Sequence, residues 1–599
     1  MLKYFTFDLQ LPPIIYEYKY WYSYVYKCGT KQFCDPKVPL YEEEVARMKK
    51  YNKQILTALL LIFFLIPVWA MVPNLVEQKG MISAVFYTLW TSSLFVLIAS
   101  FLPARFLFTI ILFCTPLSAF EFVHVVEFDG YTTMAAVASF FETNPTESYE
   151  FMHAYRFHLL LVVALVFPLL VAVFLLRAKL HLKVGLLAGV VFGLTLIVFF
   201  AKTGVDIHRM SGNFTSGFSE LGNRLWSHAY PFNYVTKMQR YYSYRETLEA
   251  SYEIKKDFVF GAKSTRKLGQ RPLVLLVIGE TSRRVNWQLG GYPRATNPKL
   301  SELRNLFFFQ DVITSATHTR ESIQLALSRA TPNDLDRIIT EKTLITAFSE
   351  AGYKTVWISN QKQGGAIDTP ITAIAKEADE QVFTNNEGGF VNVFDEALVP
   401  VFDDVLAKYS DEPLFVVIHT MGSHEVYRER YTAEFEIFRP ASRGDDYNFS
   451  SPNIRERLLN SYDNSILYTD HVLSMLLNSV EATSRIAYAL YFSDHGENIL
   501  DDEHGRFGHG GVVPTRYVAD IPLFVWLSDQ YIHVRPELEK NLNLNLSKPF
   551  SLTELFGTML DAGGIELPHS NQGLHAIFTP RERYLINTEN EPVRYDALE

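Results

Sequence analysis

Leu273-Val-Leu-Leu-Val-Ile-Gly-Glu-Thr281 sets an unbroken apolar run in front of a glycine, a carboxylate and a hydroxyl. A run this short and continuous reads as a strand buried on both faces, as inside a parallel sheet covered by helices. The same pattern recurs at Lys354–Ile358, Leu414–His419, Ile486–Phe492 and Leu523–Trp526, with helical periodicity between the runs. Strand–helix alternation predicts a three-layer α/β sandwich with a parallel sheet. Sheets of this kind hold ligands at the carboxyl ends of their strands. Polar residues follow four of the runs: Glu280, Asn360, His419 to His424, and the Asp494-His495 pair in Tyr491-Phe-Ser-Asp-His-Gly496. Four strand ends therefore offer polar groups to one rim, the expected active site.

Upstream of this region the chain changes character. Five apolar runs, Ile55–Val72, Ile82–Leu102, Phe106–Val126, Leu159–Leu176 and Val184–Ala201, approach the roughly 20 residues a helix needs to cross a bilayer. Arg47, Lys49, Lys50 and Lys53 precede the first run, Arg105 sits in the second link, and Arg177, Lys179 and Lys183 fill the fourth. The third link is acidic, with Glu127, Asp129, Glu142, Glu147 and Glu150. Positive charge stays inside, so the N-terminus is expected in the cytoplasm and the long polar tail on the far side. The first run starts too late and is followed by too many others to be a cleaved signal. The expected division is a cytoplasmic extension over 1–54, a five-span membrane module over 55–202, short amphipathic linker helices over 203–270 and a catalytic domain over 271–599. Within the extension Tyr16, Tyr18, Tyr20, Tyr22, Tyr24 and Tyr26 alternate, which reads as a poorly ordered segment without a catalytic part.

Composition narrows the function. The 599-residue chain carries a net charge of −10, which argues against nucleic acid as a partner. Its cysteines are Cys28, Cys34 and Cys114, so the tail has no disulfide and no thiolate metal site. Glu280, Asp494 and His495 instead make a carboxylate, carboxylate and imidazole set suited to zinc. An adjacent acid and imidazole at the end of a buried strand cost desolvation unless something pairs with them, and a metal ion would hold both. A reactive hydroxyl is expected in Thr314-Ser-Ala-Thr-His-Thr-Arg-Glu-Ser, where hydroxyls lead into a helix whose N-terminus favours phosphate. Metal coordination would activate such a hydroxyl. Thr314, Ser315, Thr317 and Thr319 all qualify on this ground.

The ordered set Gly279-Glu-Thr-Ser-Arg-Arg with Gly291-Tyr-Pro-Arg, Thr317-His-Thr-Arg-Glu-Ser, Trp357-Ile-Ser-Asn-Gln, His419-Thr-Met-Gly-Ser-His, Tyr462-Asp-Asn-Ser, Ser493-Asp-His-Gly-Glu and Phe507-Gly-His-Gly resembles the bacterial phosphoethanolamine transferases. The resemblance covers residues 55–580. It implies a five-helix transmembrane module in the bacterial inner membrane, followed by a periplasmic α/β/α domain of the alkaline-phosphatase and sulfatase type. It also implies zinc held by Glu280, Thr319, Asp494 and His495, with Thr319 as nucleophile. His424, His509 and Asn360 are implied for the phosphoethanolamine group, and Thr143 and Glu147 for the donor's head group. The implied donor is phosphatidylethanolamine. The acceptor stays open among lipid A, a core sugar and a periplasmic glucan. The chain lacks the nucleophile-segment cysteine and disulfides usual in lipid-modifying members, and Ser359-Asn-Gln-Lys-Gln-Gly-Gly-Ala is closer to the glucan-decorating branch. Lipoteichoic acid synthases offer the alternative, glycerophosphate transfer on the same plan.

Overall fold

The structure is a computed structural model and describes residues 38–598 except 143–144, 178–179, 211–225, 227–228, 266–267, 270, 362–368, 386–392, 443–452, 510, 512, 569–572 and 577–581. The alternating tyrosines and Thr143 lie outside the described residues.

Helix α1 (Val38–Phe64) carries the first apolar run only part of the way. The run divides at Leu65 and Met71 into the short helices Ile66–Ala70 and Val72–Lys79, each with a proline in its first turn. Proline has no N–H to bond to the preceding turn and is best tolerated in a helix's first turn, where Pro67 and Pro73 each stand in a new short helix. Among the described residues four helices are long and apolar enough to span: α2 (Met81–Phe101), α3 (Ala104–Glu127), α4 (Arg156–Leu175) and α5 (Leu182–Met210), the last over Leu182–Phe200. Pairs α2 with α5 and α3 with α4 run alongside one another. Gly185 lets α5 approach α2, because a Cβ there would overlap the Ser100 side chain. The described part of the expected short linker helices contains one long helix, α6 (Asn233–Lys255).

Seven strands form the catalytic sheet: β1 (Leu273–Gly279), β2 (Leu306–Phe309), β3 (Lys354–Ser359), β4 (Glu380–Phe383), β5 (Leu414–His419), β6 (Ala487–Ser493) and β7 (Leu523–Leu527). Their order is β2-β7-β6-β1-β5-β3-β4. The four pairs from β6 through β4 are parallel, whereas β7 runs antiparallel to both β6 and β2. This corrects the expectation of a fully parallel sheet. An apolar run buried on both faces carries no mark of its direction, so composition could not separate β7 from the others.

Period two along β1 splits its side chains between two cores. Val274, Leu276 and Ile278 face one, which holds Ile323 and Ala326 of helix α7 (Thr319–Ala326). Leu273, Leu275 and Val277 face the other, filled by Leu458, Tyr462, Ile466, Leu473 and Leu476 of helix α8 (Ile454–Ala482). Val123, Ala154 and Tyr155, at the outer end of the membrane module, belong to this second core. The sheet is therefore seated on the membrane module through shared apolar packing, worth about 1.5–3 kcal/mol per large side chain fully buried.

Candidate metal centre

The ends of β1 and β6 lie side by side, with Gly279 paired to Ser493. The next residues, Glu280 and Asp494, consequently leave the sheet together. Thr281 turns sharply at φ 57°, and its N–H donates to Asp494 Oδ1 at 3.0 Å. The loop after β5 closes against the same point. Ser423 N–H donates to the Glu280 carbonyl at 3.0 Å, and Gly422 lies so close that a Cβ would stand 2.7 Å from that oxygen. Gly422 also has φ +50°, a conformation that glycine adopts without strain.

Glu280, Asp494 and His495 are buried, and one ligand atom from each lies within 4.8 Å of the others. His495 Nδ1 is 2.9 Å from the Gly496 carbonyl, so this nitrogen carries the proton and donates it there. Nε2 is left as a bare acceptor, 3.4 Å from Asp494 Oδ2 and 3.5 Å from Glu280 Oε1. Asp494 Oδ2 is buried and finds no hydrogen-bond partner. The lone pairs of these atoms converge; the Thr281 hydroxyl donates to Glu280 Oε1 at 2.6 Å, but Asp494 Oδ2 is left without a donor, an arrangement a cation would satisfy. Thr319, the first residue of α7, adds its Oγ1 at 3.2 and 3.3 Å from the two Glu280 oxygens and 3.3 Å from His495 Nε2. Two carboxylates, an imidazole and a hydroxyl form a donor set that fits zinc.

The electrostatics point the same way. Burial works against charge on Glu280, yet the neighbouring imidazoles, His495 first and then His424, hold its carboxyl below the usual range. Burial and then the Glu280 charge push Asp494 far upward. His495 is driven down by burial and by the charge of His509. Burial also opposes charge on His509, but the Glu497 carboxylate beside it overcomes this and raises the ring to about 9. The His509 ring stacks 4.1 Å from His495, with Nδ1 3.4 Å from Glu497.

His424 Nδ1 is buried without a partner, and His424 is close enough to influence Glu280. Asn360 is engaged elsewhere: its amide donates to Asp395 Oδ1 and the Val393 carbonyl, while its oxygen accepts from Thr384. Asp395 in turn accepts from the N–H groups of Met421 and Gly422, so Asn360 braces the loop that carries His424. Glu147 falls within the helix Pro145–Ala154, and its side chain lies outside the described residues. Sequence reasoning missed Gln361, whose amide donates to Glu280 Oε2 at 2.9 Å. Its place directly after Asn360, at a strand end on the same rim, was the available signal.

Residues 272–565 match the family model described as Sulfatase. Phosphoethanolamine transferase EptC of Escherichia coli strain K12 is 28% identical over 475 residues, covering 76% of this chain and 80% of that protein. The zinc complex of the periplasmic domain of Escherichia coli EptC superposes with a TM-score of 0.52 at 29% identity, covering 56% of this chain and 96% of that one. Residues 272–565 are therefore a Sulfatase-family domain, in a chain whose relatives over three quarters of its length are phosphoethanolamine transferases. The membrane-embedded phosphoethanolamine transferase EptA of Neisseria meningitidis shares the whole plan, with a TM-score of 0.67 at 21% identity over 86% of this chain and 98% of that one. Like other phosphoethanolamine transferases, the chain is a multi-pass membrane protein with its catalytic domain in the periplasm.

Proposed function

We propose that this transferase moves phosphoethanolamine from phosphatidylethanolamine to a glycan or glycolipid of the cell envelope by double displacement through Thr319. One observation carries the reading: Thr319 Oγ1 stands at the start of a helix, within 3.3 Å of both Glu280 and His495. Zinc held by Glu280, Asp494, His495 and Thr319 would stabilise the alkoxide and offset charge on the phosphoryl oxygens. Thr319 gives up its hydroxyl proton to solvent and bonds to phosphorus, the bond from phosphorus to the diacylglycerol oxygen breaks, and that oxygen takes its proton from His509. The Glu497 carboxylate keeps His509 protonated for this step. His424 faces the same group from the β5 loop. In the second half an acceptor hydroxyl or phosphate attacks the threonine phosphodiester, gives its proton to an imidazole, and Thr319 departs. The membrane module suits a lipid donor because it keeps the site at head-group level.

Thr319→Ala should abolish transfer of labelled phosphoethanolamine while leaving the thermal midpoint of the zinc-free protein near wild type. Transfer by that variant would reject the assignment. Incubated with phosphatidylethanolamine alone, the wild type should gain the mass of one phosphoethanolamine on the peptide containing Thr319. Mass spectra of lipid A, core oligosaccharide and periplasmic glucans, from cells with and without the gene, identify the acceptor as the fraction that alone loses the modification.

A further inference from the structure

The outer end of α3 carries a histidine that the chemistry above does not use. His124 is only 9% exposed, and both its ring nitrogens are buried without a hydrogen-bond partner. A neutral imidazole has one donor and one acceptor, and burying both unmatched is costly. Its ring lies between Phe120, 4.5 Å between centroids, and Phe128, 5.1 Å. Phe120 packs on Phe140 and Phe151, and Phe128 on Tyr155.

This aromatic cluster has two different ends. On one side Phe140, Tyr149 and Met152 are exposed on the two helices that follow the outer end of α3. On the other, the Phe128 ring edge is 3.1 Å from where a Cβ on Gly508 would be, and Gly508 precedes His509. The Tyr155 hydroxyl likewise reaches the Glu425 carboxylate, next to His424, at 3.3 Å. Apolar surface, then a buried unmatched imidazole, then the two histidines beside the metal cluster: this order matches acyl chains, ester and glycerol oxygens, and phosphate in a glycerophospholipid.

We infer that His124 is a further donor-binding residue, its imidazole N–H donating to an ester or glycerol-side phosphate oxygen of the donor glycerophospholipid. Phe120 and Phe128 are the apolar walls beside it, with Phe140 and Phe151 packed on Phe120. The inference rests on the lipid-donor reading above, and the test separates the two. Full-length, zinc-loaded enzyme is assayed in mixed micelles of phosphatidylethanolamine, and in parallel on a water-soluble aryl phosphoethanolamine diester. His124→Phe keeps a ring and removes both nitrogens. It should raise the KM for the lipid about tenfold, the loss of one hydrogen bond to a polar ligand. Its KM for the soluble diester should change less than about twofold, and His124→Gln, which restores an N–H, should recover most of the loss. If His124→Phe loses zinc, His124→Leu is read in its place. An unchanged lipid KM, an equal rise for both substrates, or a rise confined to the KM of a glycolipid acceptor would each overturn the inference. A wild type that cleaves the soluble diester but never consumes the lipid refutes the donor reading and the inference with it.

Discussion

At the scale of single residues, the decisive atom is Asp494 Oδ2, buried and unpartnered against Glu280 and the bare nitrogen of His495. Without a cation this oxygen is a buried polar atom left unmatched, which is destabilising. Asp494→Asn would place an amide N–H where the orphan oxygen stands, donating to Glu280 and His495. In the presence of a chelator the variant should therefore be more stable than wild type by about 1–3 kcal/mol, the cost of leaving a buried polar group unmatched. With zinc the order should reverse, since binding stabilises only the protein that retains the site. Chemical denaturation with and without chelator measures both arms. Gln361 acts one step further out, orienting Glu280 through its amide. Gln361→Ala should weaken zinc binding about 10–100-fold in chelator competition, the usual effect of losing a hydrogen bond onto a metal ligand.

At the scale of elements, the turn at Gly573–His575 ties the helix Leu555–Ala562 to β6. His575 Nδ1 meets Asp561 Oδ2 at 2.8 Å, and Nε2 meets the Tyr488 hydroxyl at 3.0 Å. Burial, outweighing the Asp561 carboxylate, lowers the His575 pKa from its ordinary 6.5. The folded state thus binds fewer protons here than the unfolded chain just below pH 6.5, and stability falls as pH drops through that value. His575→Gln should flatten that part of the dependence, read as the slope of the thermal midpoint against pH between about 6.5 and 5. The strands and their polar ends were legible because β1, β3, β5 and β6 are continuous apolar runs, each followed at once by its functional residues. The direction of β7 was not, since burial on both faces erases it. Nor was the role of Asn360: a strand-end amide looks alike in sequence whether it faces a substrate or braces Asp395. A set of metal-binding side chains was legible in Glu280, Asp494 and His495 themselves, and the structure brings one atom of each within 4.8 Å of the others. The choice of Thr319 among four hydroxyls instead needed the resemblance, and in the structure its Oγ1 stands beside Glu280 and His495.

At the scale of the molecule, the two halves meet at the segment that carries His509. Arg506 Nε donates to Asp129 Oδ2 at 2.8 Å, across the boundary between the catalytic domain and the third link of the membrane module. Asp129 is itself fixed from the membrane side, its carbonyl accepting from Gln78 at 2.9 Å, and its backbone is held at φ 55°. Arg506 is also tied to Asp502 within its own loop, so one side chain joins the loop to the link. Both partners are mostly shielded, at 16% and 26% side-chain exposure, which lifts this ion pair above the near-zero worth of a fully exposed one. A double-mutant cycle with Arg506→Ala and Asp129→Ala in the full-length protein should give a coupling of about 1 kcal/mol. Each single variant should speed amide exchange over residues 498–509, and the double variant should add little further. Equal protection in all four proteins would mean that shared apolar packing at Val123, Tyr155 and Phe128 holds the halves together without the ion pair. The expected pattern instead makes the loop bearing His509 responsive to the membrane module, because Arg506 of that loop is held by Asp129.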